Sequence, residues 1–146
     1  MQLHRDWLMD DLKRLQTDRA AMKNLAAELE TLETEFAALK ATAFDKMPSG
    51  SGNNSQLDKI EQNLAKREEL TKCLNATVSH VKFMNDLLQQ LAPGELELIE
   101  KLVVRHSSTA EKMAEQYGID PRQIYNRKRD AIDKLLRLRF GVGYKP

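Results

Sequence analysis

TAEKMAEQYGIDPRQIYNR, residues 109–127, is the stretch whose reading decides the architecture. Ser108 with Glu111 forms a capping-box pair, so a helix starts near 109 and runs to Tyr117. Gly118 follows, the residue that most readily takes the left-handed backbone of a sharp helix stop. Asp120, Pro121 and Gln123 then spell a second start: a cap, a pre-set first position and an amide at the third. This second helix extends to Phe140, where Gly141 ends it. Ala114 is small where two helices cross, and Ile119 fills the space beneath the turn. Ile124, Ala131, Ile132 and Leu135 recur on one face, against which Met113 and Tyr117 pack. The pattern predicts a helix-turn-helix.

The opposite face of the second helix carries Arg122, Gln123, Asn126 and Arg127, with Tyr125, Lys128 and Arg129 on its flanks. Arg matches the paired acceptors of guanine, and Asn or Gln matches adenine. These side chains lie in the first two turns, the part of a recognition helix that enters a major groove. The hydroxyls of Ser107, Ser108 and Thr109 are placed to hold phosphates. Lys134, Arg137 and Arg139 lie farther along, towards the DNA backbone or another partner. Over residues 121–146 eight Lys or Arg stand against two Asp, a net charge of +6, although the whole chain carries only +1. Such local asymmetry is the footprint of a nucleic-acid reader. The competing reading is a plain three-helix bundle with a solvated cationic face.

Working outward, Ala92-Pro93-Gly94 opens a short helix over 93–105 with Leu96, Ile99, Leu102 and Val103 inward. Before it, residues 56–91 read as a long helix started weakly by Ser55 and Asp58. Its seam is Leu57, Ile60, Leu64, Leu74, Val78, Val81, Leu88 and Leu91, flanked by Leu70, Met84 and Leu87 and interrupted at Arg67 and Thr71. Residues 47–56 hold Pro48, Gly50, Gly52, Asn53 and Asn54 and read as a flexible connection. Residues 3–45 read as another long helix with apolar positions at Leu8, Leu12, Leu15, Met22, Leu25, Leu29, Leu32, Phe36, Leu39 and Ala43. Its phase slips between Leu15 and Met22, where Asp18 and Arg19 predict local unwinding or a change of partner. The expected fold is therefore all-α: a long antiparallel hairpin over 1–91, then a helix-turn-helix domain over 92–146.

Residues 88–139 resemble region 4 of bacterial sigma factors, with Pro93-Gly94-Glu95 opening the unit and Gly118-Ile119 in its turn. Ala92 stands where such sequences place a Thr or Ser cap. With the N-terminal hairpin and its Ser/Gly/Asn connection, the chain resembles the small phage and prophage late-gene transcription regulators of the RinA/ArpU type. That resemblance implies activation of late operons through a DNA site near the promoter.

Cys73 is alone, so no internal disulfide is expected. His4, His80 and His106 show no metal-ligand spacing, and neither a phosphate loop nor a nucleophile motif occurs. No catalysis, metal or cofactor is expected. His106 is a candidate phosphate contact, and Trp7 a packing anchor. The absence of a signal-like apolar stretch or membrane-length run predicts a cytoplasmic protein without a membrane partner. The expected partners are double-stranded DNA, a second copy of the chain (a dimer in first place) and RNA polymerase. The hairpin seam reads equally as purely intramolecular or dimer-forming. Two alternatives stay open: a DNA-packaging recognition subunit of the small terminase type, and a coiled-coil interaction protein.

Overall fold

The computed structural model describes residues 3–45 and 53–143, the side chains at 43–45, 53 and 54 excepted. Most of the expected connection at 47–56 and Lys145 lie outside the described residues. The described chain is helical and contains no strand: α1 (Leu3–Asp45), α2 (Asn53–Leu88), α3 (Pro93–Ile99), a π-helical turn (Glu100–Val104), α4 (Ala110–Tyr117), α5 (Pro121–Phe140) and a 3-10 turn (Gly141–Gly143). None of these helices is long and apolar enough to cross a membrane.

The contacts divide the chain into two compact units, residues 1–19 with 80–146, and residues 20–79. The division therefore does not fall at residue 92, the boundary expected from the change of pattern. The first four turns of α1 and the end of α2 belong with α3, α4 and α5.

The first unit is where large apolar side chains disappear from solvent. Leu8, Leu12 and Leu15 of α1, Met84 and Leu88 of α2, Ile99, Met113, and Ile124, Leu135 and Leu136 of α5 are all buried. Each such leucine contributes roughly 1.5–3 kcal/mol of transfer free energy. Polar ties accompany the packing. Arg139 Nη1 lies 2.6 Å from Asp11 Oδ2, and its guanidinium stacks on Phe83 and Phe140. Arg19 donates to both Glu100 carboxylate oxygens, at 3.1 and 2.8 Å, and to Asn85 Oδ1 at 2.7 Å. The helix does not unwind where its phase slips. Arg19 instead fills the seam position and changes its partner, joining α2 and the π-helical turn. Trp7 is exposed, its ring set edge-on to His4 and near Phe140.

After α3 the backbone widens by one residue: the Arg105 N–H donates to Glu100 O at 2.8 Å, five residues back. This extra residue rotates the end of the segment, so Val103 and Val104 are buried while Leu102, expected inward, is only half-buried. His106 adopts φ +51°, and the Ser107 N–H closes the end on Lys101 O at 3.0 Å. The imidazole residue at 106 therefore serves a helix stop of the kind usually given to glycine.

The second unit is an antiparallel hairpin of α1 and α2. On α2 the inward face is Ile60, Asn63, Arg67, Leu70, Leu74 and Thr77, an unbroken three-four alternation. The apolar pattern points to Leu57, Leu64 and Val78, but these are 55%, 46% and 38% exposed. Keeping one continuous stripe requires Asn63 and Arg67 in the seam. Arg67 is accommodated because its guanidinium lies over the Phe36 ring, 5.2 Å from the centroid, and approaches Glu33 at 3.7 Å. α2 begins at Asn53, so Ser55 lies inside its first turn and not at its cap. Cys73 is exposed.

Candidate nucleic-acid interface

The helix-turn-helix is built by two caps and one left-handed residue. Thr109, not Ser108, caps α4: its Oγ1 accepts from the Lys112 N–H at 3.2 Å. Ser108 is set earlier because its own N–H reaches Lys101 O at 3.4 Å, within the closure of the π-helical turn. Glu111 is thereby released from the capping-box role and accepts instead from the Tyr125 hydroxyl at 3.2 Å. At the other end Gly118 has φ +68° and ψ +34°, and the Ile119 N–H bonds Ala114 O at 3.0 Å. Asp120 then caps α5 through the Arg122 N–H at 2.8 Å, with Pro121 at the first position. Leu98, Ala110, Met113, Ala114 and Ile124 form the core beneath the turn, with Leu102 and Ile119 packed against it. Tyr117 is displaced from this core to the surface, where it bonds Glu97; partial burial, then that bond, raises its hydroxyl pKa.

This frame leaves Arg122, Gln123, Asn126 and Arg127 exposed on the first two turns of α5. Among the described residues, the side chains of Arg122, Gln123 and Asn126 form no hydrogen bond or ion pair. Arg127 borders a groove of about 420 Å³ between α3 and α5, together with Tyr117, Glu97 and Asp130. Tyr125 is exposed but tied to α4 through Glu111, which raises its hydroxyl pKa. Arg129 is exposed, 3.9 Å from Asp130. Lys128 is half-buried, four residues from Ile124 and Ile132 and three from Ala131, so it occupies the inward side and not the flank of the open face. The Thr109 hydroxyl is engaged in its cap, and its lone pairs face the helix N–H groups.

The cationic run is thus divided by its neighbours. Lys134 donates to Glu95 at 3.0 Å, and Glu95 in turn accepts from the Ala92 N–H at 3.0 Å. That backbone bond, then Lys134, holds the Glu95 carboxyl below its ordinary range. Glu95 supplies the reciprocal half of a capping box whose other half Ala92 has no oxygen to make. Arg139 is fixed on Asp11. Asp130 and Asp133 share the outward side with Asn126, four and seven residues on, and Arg5 approaches Asp133 at 4.0 Å. These carboxylates interrupt the open cationic and amide surface beyond the N-terminal turns of α5, with Arg137 exposed farther along. A net-charge count treats the two acids only as a subtraction, whereas helical register places them on the reading face.

Among the described residues no cluster of three metal-ligating side chains occurs. Comparison with protein-family models, with curated proteins and with solved structures finds no match to this chain.

Proposed function

We propose that the chain is a sequence-specific, double-stranded DNA-binding transcription regulator that reads the major groove with α5. The observation that carries the reading is the first two turns of α5: two hydrogen-bonding amides and two guanidiniums project from a rigidly capped helix, and the side chains of Arg122, Gln123 and Asn126 form no intramolecular bond. A side chain with no internal bond gives up none when it binds a base edge. The four-residue face supplies the groups suited to guanine and adenine. The cationic N-terminal end of the helix, with Arg129 beside it, supplies backbone attraction. A phage or prophage late-gene role, a cytoplasmic location and a contact with RNA polymerase belong to the same reading through the family resemblance. A single helix-turn-helix offers few base contacts, so a dimer on paired half-sites completes it.

Capture of fragmented genomic DNA by the full chain, followed by sequencing, yields a shared motif. Titration on that motif shows affinity falling steeply with salt. Asn126→Ala and Arg122→Ala each weaken specific binding by about 1–3 kcal/mol and relax selectivity at one base pair. Enrichment of no motif, with no salt-dependent retention of duplex DNA, overturns the proposal and favours the interaction-protein alternative. A large ring by light scattering would favour the packaging alternative.

A further inference from the structure

The hairpin of residues 20–79 has a groove of about 400 Å³ along one side. Its floor is Leu32, Leu39 and the amide of Asn63; its rims are Glu35 on α1 and Lys59 and Lys66 on α2. Asn63 is only 5% exposed. Its Nδ2 donates to Leu32 O at 3.0 Å, which uses one of two N–H groups, and its Oδ1 is buried without a hydrogen-bond partner. An unsatisfied buried amide oxygen is costly, on the order of 1–3 kcal/mol. Around it the hairpin is thinly covered: Met22, Leu25, Leu29, Phe36 and Leu39 remain only half-buried.

We infer that a second copy of this chain seats on the groove, hairpin against hairpin, in a four-helix arrangement with Asn63 at the two-fold axis. Charge selects this occupant. Asn63 bonds Leu32, and Arg67 pairs with Glu33, so Glu35 stands level with the segment 59–66 across the hairpin. A two-fold axis along the helices preserves level and exchanges sides. Glu35 of one copy then lies over Lys59 and Lys66 of the other, twice over. The same operation brings the two Asn63 side chains to the same level, and each Nδ2 keeps one N–H group beyond its bond to Leu32 O. A buried polar residue in a helical seam is a known device for fixing register and oligomer number. The inference deepens the dimeric part of the functional reading. Its test needs no DNA, so it fails or stands apart from the role of α5.

The test is the mass of the full chain by light scattering and sedimentation, with helicity monitored by circular dichroism. The wild type is a dimer. Glu35→Lys weakens it by about ten-fold or more through like charge, and the triple variant E35K/K59E/K66E restores it. Asn63→Leu keeps the helices and loosens oligomer number, giving species larger than the dimer. A wild type that is monomeric at its highest soluble concentration overturns the inference. So does a dimer unaffected by Glu35→Lys, or one that the triple variant fails to restore while helicity is intact. A strict dimer in Asn63→Leu removes the amide from the account.

Discussion

Both halves of α1 carry the same three-four rhythm of apolar residues, and the two units use it to different effect. In residues 3–19 the leucines at 8, 12 and 15 are fully buried. In residues 20–45 the equivalent positions are half-buried, and Leu32 alone among the described side chains there falls to 9% exposure. Periodicity tells which side of a helix is apolar; the number of elements packed on that side tells how much water is removed. Two helices shield one line of contact and leave its edges wet, whereas a unit with contributions from all five helices surrounds its seam.

The largest effect that separates the units is core truncation. Leu135→Ala removes a fully buried side chain and costs about 2–5 kcal/mol in urea denaturation of the first unit. Leu29→Ala, at a half-buried position, costs well under half as much in the monomer. Equal losses would break the comparison. Loss in Leu29→Ala that grows with protein concentration would sharpen it, since a second copy would then complete the burial. Next in size is the turn: Gly118→Ala places a Cβ on a left-handed backbone and destabilises by about 1–2 kcal/mol. No atom lies close to that Cβ, so the effect is conformational and not a clash. An unchanged unfolding midpoint would refute the strained turn.

A smaller, pH-dependent effect belongs to the tie between α1 and the π-helical turn. The Arg19 guanidinium hydrogen-bonded to Glu100 holds its carboxyl below the ordinary glutamate range, against the opposing effect of partial burial. A lowered folded-state value means stabilisation that is complete above the unfolded carboxyl range and is lost as pH falls through the folded value. The difference in urea midpoint between wild type and Arg19→Met therefore narrows from neutral to acid pH. A difference independent of pH would assign Arg19 to packing alone. The smallest expected effect is at His106: His106→Gly relaxes its positive φ and leaves stability equal or raised by less than about 1 kcal/mol. A marked loss would show that the imidazole itself holds the turn.

The strong local signals were legible without coordinates. Asp120-Pro121, Gly118 and the apolar face of α5 each act within a few residues, and the structure follows them. Elsewhere equally local options compete. Ser108 and Thr109 both offer a cap; the choice fell to Thr109 because the π-helical turn consumes the Ser108 N–H. Leu57 and Leu64 outrank Asn63 in hydrophobicity, yet an unbroken stripe on α2 matters more than any single side chain in it. Lys128 sounds like a DNA contact by residue type, and its register assigns it to the inward side.

The sequence by itself determined that the chain is helical, where α1, α4 and α5 stop, and that cationic and amide groups cluster on the start of α5. These follow from backbone preferences and periodicity, which are properties of neighbours in the chain. Only the tertiary structure decided that the first turns of α1 join α5, that Arg19 satisfies Glu100 across 81 positions, and that Asn63 lies in the seam with an oxygen unmet. Those outcomes depend on which distant surfaces meet, and the burial that selects them is a sum over the assembled contacts, not a property of any one segment.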